Sequence, residues 1–261
     1  MPNAEALPLL LKQLKLPTML EKWDSQEKIA QEKGLRYGEY LALLSEFEVA
    51  HRYEKRVERH TKTSKLPPGK TLASFDFTQV KSIDSRVVEA FASEPSWIKQ
   101  ANNLVIFGPS GVGKSHLAAA IGHGLIEQGI RCYFTATTML VQKLQEAKRN
   151  YKLPEALAKL SRYPLLILDD IGYVKKDDLE TSVLFELIAE RYETASLIIT
   201  ANQPFGEWEQ IFPDNMMAVA AIDRFVHHAT IINLTEESYR KAHSENLMRR
   251  RETLQKGGIA L

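Results

Sequence analysis

Five short apolar runs, separated by longer amphipathic segments, constrain the fold of this chain more than any other feature. Each run is apolar nearly throughout, as expected for parallel strands that are covered by helices on both faces. The regular alternation of such strands with helical segments predicts a layered α/β domain with a parallel sheet. We place the strands at Asn102–Phe107, Arg131–Ala136, Leu165–Asp170, Ser196–Asn202 and Thr230–Leu234.

The residues before these strands have a helical pattern. Helices are predicted at about Ala4–Leu16 and Thr18–Lys33, the first of them ended by Pro17. Two prolines and a glycine in KLPPGKT, Lys65–Thr71, then separate this region from the strands. We therefore predict an all-helical domain over residues 1–66 and an α/β domain over residues 67–261.

The composition, with 44% hydrophobic and 26% charged residues, is typical of soluble globular proteins. No apolar run approaches the roughly 20 residues of a membrane-spanning helix. The N-terminus lacks the basic head and the cleavage site of a secretory signal. The single cysteine, Cys132, excludes an internal disulfide. These features predict a cytoplasmic protein without a membrane partner.

A net charge of only +1 conceals local basic blocks. A third N-terminal helix carries Leu43, Phe47 and Val57 on its apolar face. On the opposite face, cations share an arc of roughly 120° without an acid, which favours contact with a phosphate backbone. The alternative is an ordinary solvated helix face. The candidate DNA-binding residues of this stripe are Arg52, Lys55, Arg56 and Arg59.

The run G-x-x-x-x-G-K-S follows the first predicted strand and opens a predicted helix, which is the context that a phosphate-binding loop requires. In such loops, backbone amides at a helix N-terminus bind phosphate oxygens. The ammonium of Lys114 would neutralise the β- and γ-phosphates, and the hydroxyl of Ser115 would bind Mg²⁺. No N-K-x-D guanine motif is present, so ATP is expected rather than GTP. The loop comprises Gly108, Pro109, Ser110, Gly111, Val112, Gly113, Lys114 and Ser115.

Polar side chains follow two of the predicted strands. Asp169 ends an apolar run and could complete the Mg²⁺ site, while Asp170 could orient or polarise an attacking water. Asn202 ends the next predicted strand and could reach the γ-phosphate or the water. The alternative for Asp170 and Asn202 is a turn or helix cap.

The motifs GPSGVGKSHLA, LLILDDIG, IITAN, AIDRF and ESYR, in this order and spacing, resemble those of AAA+ ATPases of the IstB/DnaC type. That group contains insertion-sequence transposition helpers and replicative helicase loaders. The resemblance implies a P-loop NTPase fold, with a five-stranded parallel sheet covered by helices and preceded by a small helical domain. It also implies that SFDF, Ser74–Phe77, lies beside the adenine. Because few residues follow the last strand, we expect a reduced C-terminal lid.

The resemblance also implies roles for single residues. Asp169 and Asp170 would be the Walker B pair, and Asn202 would be sensor I. Arg224 would be an arginine finger that reaches the γ-phosphate of a neighbouring subunit, and Arg240 would be sensor II. Many relatives have Asp-Glu as the Walker B pair, so the shorter Asp170 predicts slow or assembly-dependent hydrolysis. The alternative for Arg224 is a salt bridge with Asp223 or with another nearby acid.

In this family, helices between the second strand and Walker B contact DNA, which implies DNA contacts by Lys143, Lys148 and Arg149. The expected function is an ATP-dependent assembly factor and ATPase that oligomerises on duplex DNA without strong sequence specificity. It would deliver this target DNA to a transposase, with hydrolysis as the reset. A helicase loader that prefers single strands and a metabolic P-loop kinase are the alternatives.

Overall fold

The computed structural model describes residues 4–171, 178–203, 223–236 and 238. The chain divides into two units, Met1–Arg59 and His60–Leu261. Arg240 and the expected C-terminal lid lie outside the described residues. Within the described ranges, no helix combines the length and the apolar composition needed to cross a bilayer.

The described part of the first unit is helical. After a short 3-10 turn come α1 (Leu7–Gln13), α2 (Pro17–Glu32) and α3 (Tyr37–Ser64), whose last turn belongs to the second unit. Leu11, Met19 and Leu44 form the buried core, one from each helix. Pro17 does not merely end α1 but begins α2, because the first helical position needs no amide donor.

Glu48 of α3 caps the N-terminus of α2. Leu16, at the cap position of α2, has no side-chain acceptor, so the first amides of the helix need another partner. The Glu48 carboxylate accepts hydrogen bonds from the Thr18 amide at 2.8 Å and the Met19 amide at 3.2 Å. Burial of the carboxyl opposes ionisation, but bonds from Arg52 and from these two amides hold the pKa of Glu48 below its ordinary value. One buried carboxylate therefore joins α2 to α3.

The five predicted strands form one parallel sheet in the second unit, and their predicted bounds are right to within one residue. The sheet order is β2-β3-β4-β1-β5, so β4 lies between β1 and β3. The register pairs Ile106 with Thr200 and Leu166 with Leu197. The strands are β1 (Asn103–Phe107), β2 (Cys132–Ala136), β3 (Leu165–Asp169), β4 (Ser196–Ala201) and β5 (Ala229–Asn233).

Helices cover the sheet on both faces, as the continuous apolar runs predict. They are α4 (Ser85–Ser93), α5 (Ser96–Lys99), α6 (Lys114–Glu127), α7 (Thr137–Arg149), α8 (Leu153–Leu160) and α9 (Asp178–Arg191). Val105 and Phe107 of β1 pack in one apolar cluster with residues of α7, α8 and α9. On the other face, Ile167 approaches Gly122 of α6 so closely that an added Cβ would lie 2.9 Å from its Cδ1 atom.

The sheet order places three functional segments side by side. In a parallel sheet, the carboxyl ends of all strands meet at one edge, and ligands bind in the crevice outside that edge. The residues that follow β1, β4 and β3 are therefore neighbours, although they are far apart in the chain. These are the phosphate-loop motif, Asn202 and the Asp169–Asp170 pair.

Candidate functional site

The phosphate-loop motif turns directly from β1 into α6. Gly113 caps α6 with a left-handed backbone, φ 104°. A Cβ on Gly113 would come within 2.9 Å of the Phe75 ring, and one on Gly108 would collide with the carbonyl oxygen of Leu234. Glycine is required at both positions because the neighbouring atoms and the backbone leave no room for a side chain. The loop amides lie at the N-terminus of α6, where an anion is stabilised.

Lys114 and Asn202, predicted separately, are in direct contact. The buried ammonium of Lys114 donates hydrogen bonds to the Gly108 carbonyl at 2.8 Å and the Pro109 carbonyl at 2.9 Å. It donates a third to Asn202 Oδ1 at 2.6 Å. Asn202 Nδ2 in turn donates to Asp170 Oδ1 at 3.2 Å. A continuous polar chain thus joins the loop to the second carboxylate.

Thr200, on the strand between the loop and the carboxylates, fixes the Asp169–Asp170 pair. Its hydroxyl donates to Asp169 Oδ1 at 2.7 Å and accepts from the Asp170 amide at 2.8 Å. Asp170 has a left-handed backbone, φ 62°, which Asp tolerates better than most residues. The Ile171 amide donates to the Thr200 carbonyl at 3.0 Å and holds the chain in this turn.

Sequence reasoning did not assign Thr200 a role. The available signal is a hydroxyl residue that directly follows the apolar run LII in SLIITA, a strand that neighbours the carboxylate strand. The side chain is fully buried. A buried hydroxyl requires hydrogen-bond partners, so its position predicts contact with the adjacent strand.

A cavity of about 800 Å³ opens at this edge of the sheet, a volume typical of small-molecule sites. Its lining includes Ser110 to Ser115 of the loop and His116, together with Asp170, Thr200 and Asn202. It also includes residues between Lys70 and Lys81 and Thr235, Glu236 and Ser238, which we call the second wall. The second wall therefore comes from parts of the chain outside the phosphate-loop motif and the polar residues at the ends of β3 and β4.

The second wall contains most of the predicted SFDF segment. Ser74, Phe75 and Asp76 line the cavity, and the Phe75 ring packs edge-on against Phe77 at 4.8 Å between centroids. The wall is joined to the chain after β5 by Glu236, whose carboxylate accepts from the Ser82 amide at 2.6 Å and hydroxyl at 2.7 Å. Burial opposes ionisation of Glu236, but these bonds keep its pKa lowered.

The residues of this edge fit ATP with Mg²⁺. The loop amides and Lys114 would hold the phosphates, while Ser115 and Asp169 would supply the oxygen ligands that Mg²⁺ prefers. Among the described residues, no cluster of three or more His, Cys, Asp or Glu could hold a metal ion. Mg²⁺ usually binds through one or two carboxylates together with substrate phosphates and water.

Arg224 lies at the other end of the sheet, away from Lys114. The helical residues 223–226 precede β5, and Asn103, the first residue of β1, donates through Nδ2 to the Phe225 carbonyl at 3.0 Å. The guanidinium of Arg224 lies 5.2 Å from the ring centroid of Phe185. In the described ranges, Arg224 makes no salt bridge with Asp223 or with another acid.

The cationic stripe of α3 is partly engaged within the first unit. Arg52 donates to Glu48 at 2.8 Å and to the Lys15 carbonyl at 2.6 Å. Lys55 donates to Glu58 at 2.9 Å. The exposed Arg56 stacks on Tyr53, with 5.5 Å from its guanidinium to the ring centroid. Arg59 is also exposed.

The second group of predicted DNA contacts lies on α7. Lys143 and Arg149 are exposed. Lys148, in contrast, donates to Ser182 and to Glu186 of α9, both at 2.7 Å. A phosphate contact by Lys148 would have to replace this ion pair.

The comparisons with known proteins agree with the site. The family model for IstB-like ATP-binding proteins matches residues 9–246. A relative from Sinorhizobium fredii (strain NBRC 101917 / NGR234) is 51% identical over 245 residues, which cover 94% of this chain and 82% of the relative. One from Pseudomonas aeruginosa is 38% identical over 234 residues, covering 90% and 88%. Their names provisionally describe ATP-binding proteins of insertion sequences, in the second case of IS21.

Solved structures share the fold of the second unit. The DnaC helicase loader aligns with a TM-score of 0.55 and 20% identity, over 64% of this chain and 97% of that chain. AMPPCP-bound DnaA from Aquifex aeolicus aligns with a TM-score of 0.52 and 21% identity, over 76% of this chain and 58% of the DnaA chain. At these identities the similarity shows the AAA+ P-loop fold alone. The match of the family model over most of the chain and the identity of the relatives show that this chain belongs to the IstB-like ATP-binding proteins.

Proposed function

We propose that this protein is an ATP-dependent assembly factor that holds duplex DNA by its backbone and delivers it to a transposase. The observation that supports this most is the chain of contacts from Lys114 through Asn202 to Asp170 beside a nucleotide-sized cavity. The names of the relatives, which place them with insertion sequences, support a role in transposition. Hydrolysis of ATP then resets the assembly.

In this proposal, different residues of the site bind the nucleotide and promote its hydrolysis. Lys114 and the loop amides neutralise and orient the phosphates, and Ser115 and Asp169 hold Mg²⁺. Bound ATP and Mg²⁺ supply the scissile phosphoanhydride bond and the neutralising charge. Asp170 accepts a proton from, or orients, the attacking water. Asn202 fixes the Asp170 carboxylate through its Nδ2 atom, 3.2 Å away.

The position of Arg224 supports hydrolysis that depends on assembly. The length of β1 separates Asn103, which binds the Phe225 carbonyl beside Arg224, from the phosphate loop of the same subunit. A cation that stabilises transition-state charge would therefore have to act on the nucleotide of another copy. This arrangement favours a homo-oligomer in which ATP joins neighbouring subunits.

DNA binding is assigned first to exposed cations without an ion pair to an acid. Arg56 of the first unit and Lys143 and Arg149 of the second unit meet this condition within the described residues. Arg59 is also exposed and remains a candidate on its exposure alone. Contacts of this kind bind phosphates and are largely insensitive to base sequence.

The remaining cations of the predicted interface are tied to acids. Arg52, Lys55 and Lys148 would contribute to DNA binding only by exchanging their present ion pairs. Such an exchange reduces the free energy gained on DNA binding, because an existing ion pair is lost when the contact with phosphate forms. We therefore rank these three below Arg56, Lys143 and Arg149.

The test is the molecular mass of the protein with ATP, on duplex DNA and on a single strand of equal length, with ADP as the control. A large assembly that requires ATP and duplex DNA is expected. Assembly mainly on single strands would indicate a helicase loader, and a monomer under every condition would indicate a P-loop kinase. Arg224→Ala should bind ATP as a monomer but lose assembly-linked hydrolysis. Unchanged hydrolysis by the assembled variant would exclude the arginine-finger role.

A further inference from the structure

His116 ties the second wall of the cavity to the helix that begins at the phosphate loop. It lies on the first turn of α6, two residues after Lys114. Its Nε2 atom lies 3.1 Å from the Thr71 carbonyl oxygen and 3.1 Å from the Ser74 hydroxyl. A carbonyl oxygen only accepts hydrogen bonds, so Nε2 must carry the proton and donate it.

The segment that His116 holds is itself an ordered turn. The Ser74 hydroxyl donates to the Gly69 carbonyl at 2.6 Å and accepts from the Thr71 amide at 3.0 Å. The Ser74 amide donates to the Thr71 carbonyl at 3.2 Å, and the Phe75 amide donates to the Leu72 carbonyl at 3.1 Å. His116 therefore binds a turn that is held together by its own hydrogen bonds. Because Phe75 belongs to this turn, the contact with His116 also fixes the position of Phe75.

Phe75 joins this turn to the phosphate loop. Its buried ring lies edge-on to the His116 ring, with 5.2 Å between centroids, and packs against Gly113. Ser74, Phe75 and Asp76 line the same cavity as the loop. The phosphates of a bound nucleotide would occupy the loop, so its nucleoside part would lie against another part of the cavity lining, such as the second wall.

The pKa of His116 depends on the burial of its ring and on two neighbouring groups. Burial lowers its pKa most, the bond to the Thr71 carbonyl opposes this, and the charge of Lys70 lowers it further. The net effect lowers the pKa of His116 below its ordinary value of 6.5. A neutral ring still carries the Nε2 proton that the Thr71 carbonyl requires.

We propose that His116 is a positioning residue for the nucleoside part of the nucleotide, acting through Thr71, Ser74 and Phe75. It fixes the second wall against the phosphate loop and has no part in the binding of the phosphates themselves. Loss of His116 should therefore weaken binding of a nucleoside triphosphate and spare binding of an inorganic triphosphate. The inference rests on ATP binding at this cavity, not on DNA binding or assembly.

Three variants of the full chain test the role. His116→Ala removes the bond, His116→Gln keeps an N–H donor, and His123→Ala is the matched control. His123 lies on the same helix and its Nε2 atom lies 3.1 Å from the Pro67 carbonyl, but it does not line the cavity. Binding of ATP and of inorganic tripolyphosphate, each with Mg²⁺, is measured by titration calorimetry.

His116→Ala should weaken ATP binding by about five- to tenfold, the effect of one lost hydrogen bond. Tripolyphosphate binding should remain unchanged, and His116→Gln and His123→Ala should bind ATP like the natural protein. Equal weakening of both ligands would show that His116 supports the phosphate loop and would overturn the proposal. Unchanged ATP binding in His116→Ala would also overturn it.

Hydrogen exchange without nucleotide tests the contact directly. In His116→Ala, the amides of Ser74 and Phe75 should exchange faster, because the turn that protects them is no longer held. Exchange unchanged from that of the natural protein would contradict the proposed contact, whatever the titrations show. If the natural protein failed to bind ATP, the proposed function would fail, while faster exchange would still support the contact.

Discussion

Replacement of Thr200 by valine tests whether one buried hydroxyl holds Asp169 and Asp170 in place. Valine has nearly the same shape as threonine, so Thr200→Val leaves no cavity and removes only the hydroxyl. Two contacts are lost, the donated bond to Asp169 Oδ1 at 2.7 Å and the accepted bond from the Asp170 amide at 2.8 Å.

The expected loss of stability follows from these two bonds. A hydrogen bond to a charged group contributes about 1.5–3 kcal/mol and one between neutral groups about 0.5–1.5 kcal/mol. Because the Thr200 side chain is fully buried, water cannot easily replace the lost hydroxyl. We therefore expect Thr200→Val to lower the free energy of unfolding by about 2–4 kcal/mol.

The assay compares Thr200→Val with Thr200→Ser, which keeps the hydroxyl. Urea unfolding, followed by circular dichroism, gives the free energy of unfolding, and phosphate release gives ATP turnover. Thr200→Val should also lose most turnover, since the left-handed turn at Asp170 loses its side-chain support. The reasoning is refuted if Thr200→Val unfolds within about 0.5 kcal/mol of Thr200→Ser and hydrolyses ATP at the same rate.

Three further perturbations address the other groups. Lys114→Ala should abolish ATP binding in calorimetry, because the cation at the phosphates is lost; normal affinity would exclude the phosphate-loop assignment. Asp170→Asn, which suits the same left-handed backbone, should bind ATP but release phosphate at least about 100-fold more slowly. The carboxylate of Glu48 stabilises the first unit above its ordinary pKa of 4.5, and this contribution is lost as the pH falls through the lowered folded pKa. The melting-temperature gap between natural protein and Glu48→Gln should thus be large at about pH 7 and shrink as the pH falls below the ordinary value of 4.5; a constant gap would contradict the capping role.

The sequence by itself determined the elements and the chemistry of the loop. The five strands are marked by local runs that are mostly apolar, because a strand covered on both faces has few positions that face water. The motif Gly108–Ser115 is equally local, since its conformation needs only a strand, glycines and a helix start. The carboxylates at Asp169 and Asp170 were identifiable for the same reason, since they directly follow an apolar strand.

Only the tertiary structure decided which distant groups meet. The order of the sheet places β4 between β1 and β3, and this brings Asn202 to Lys114 and the Thr200 hydroxyl to the Asp169 carboxylate and the Asp170 amide. The acid that pairs with Lys148 was equally hidden. Lys148 is a cation in the sequence pattern, but the packing of α7 against α9 gives it Glu186 as its partner. Long-range pairing depends on how elements pack, and local periodicity carries no information about it.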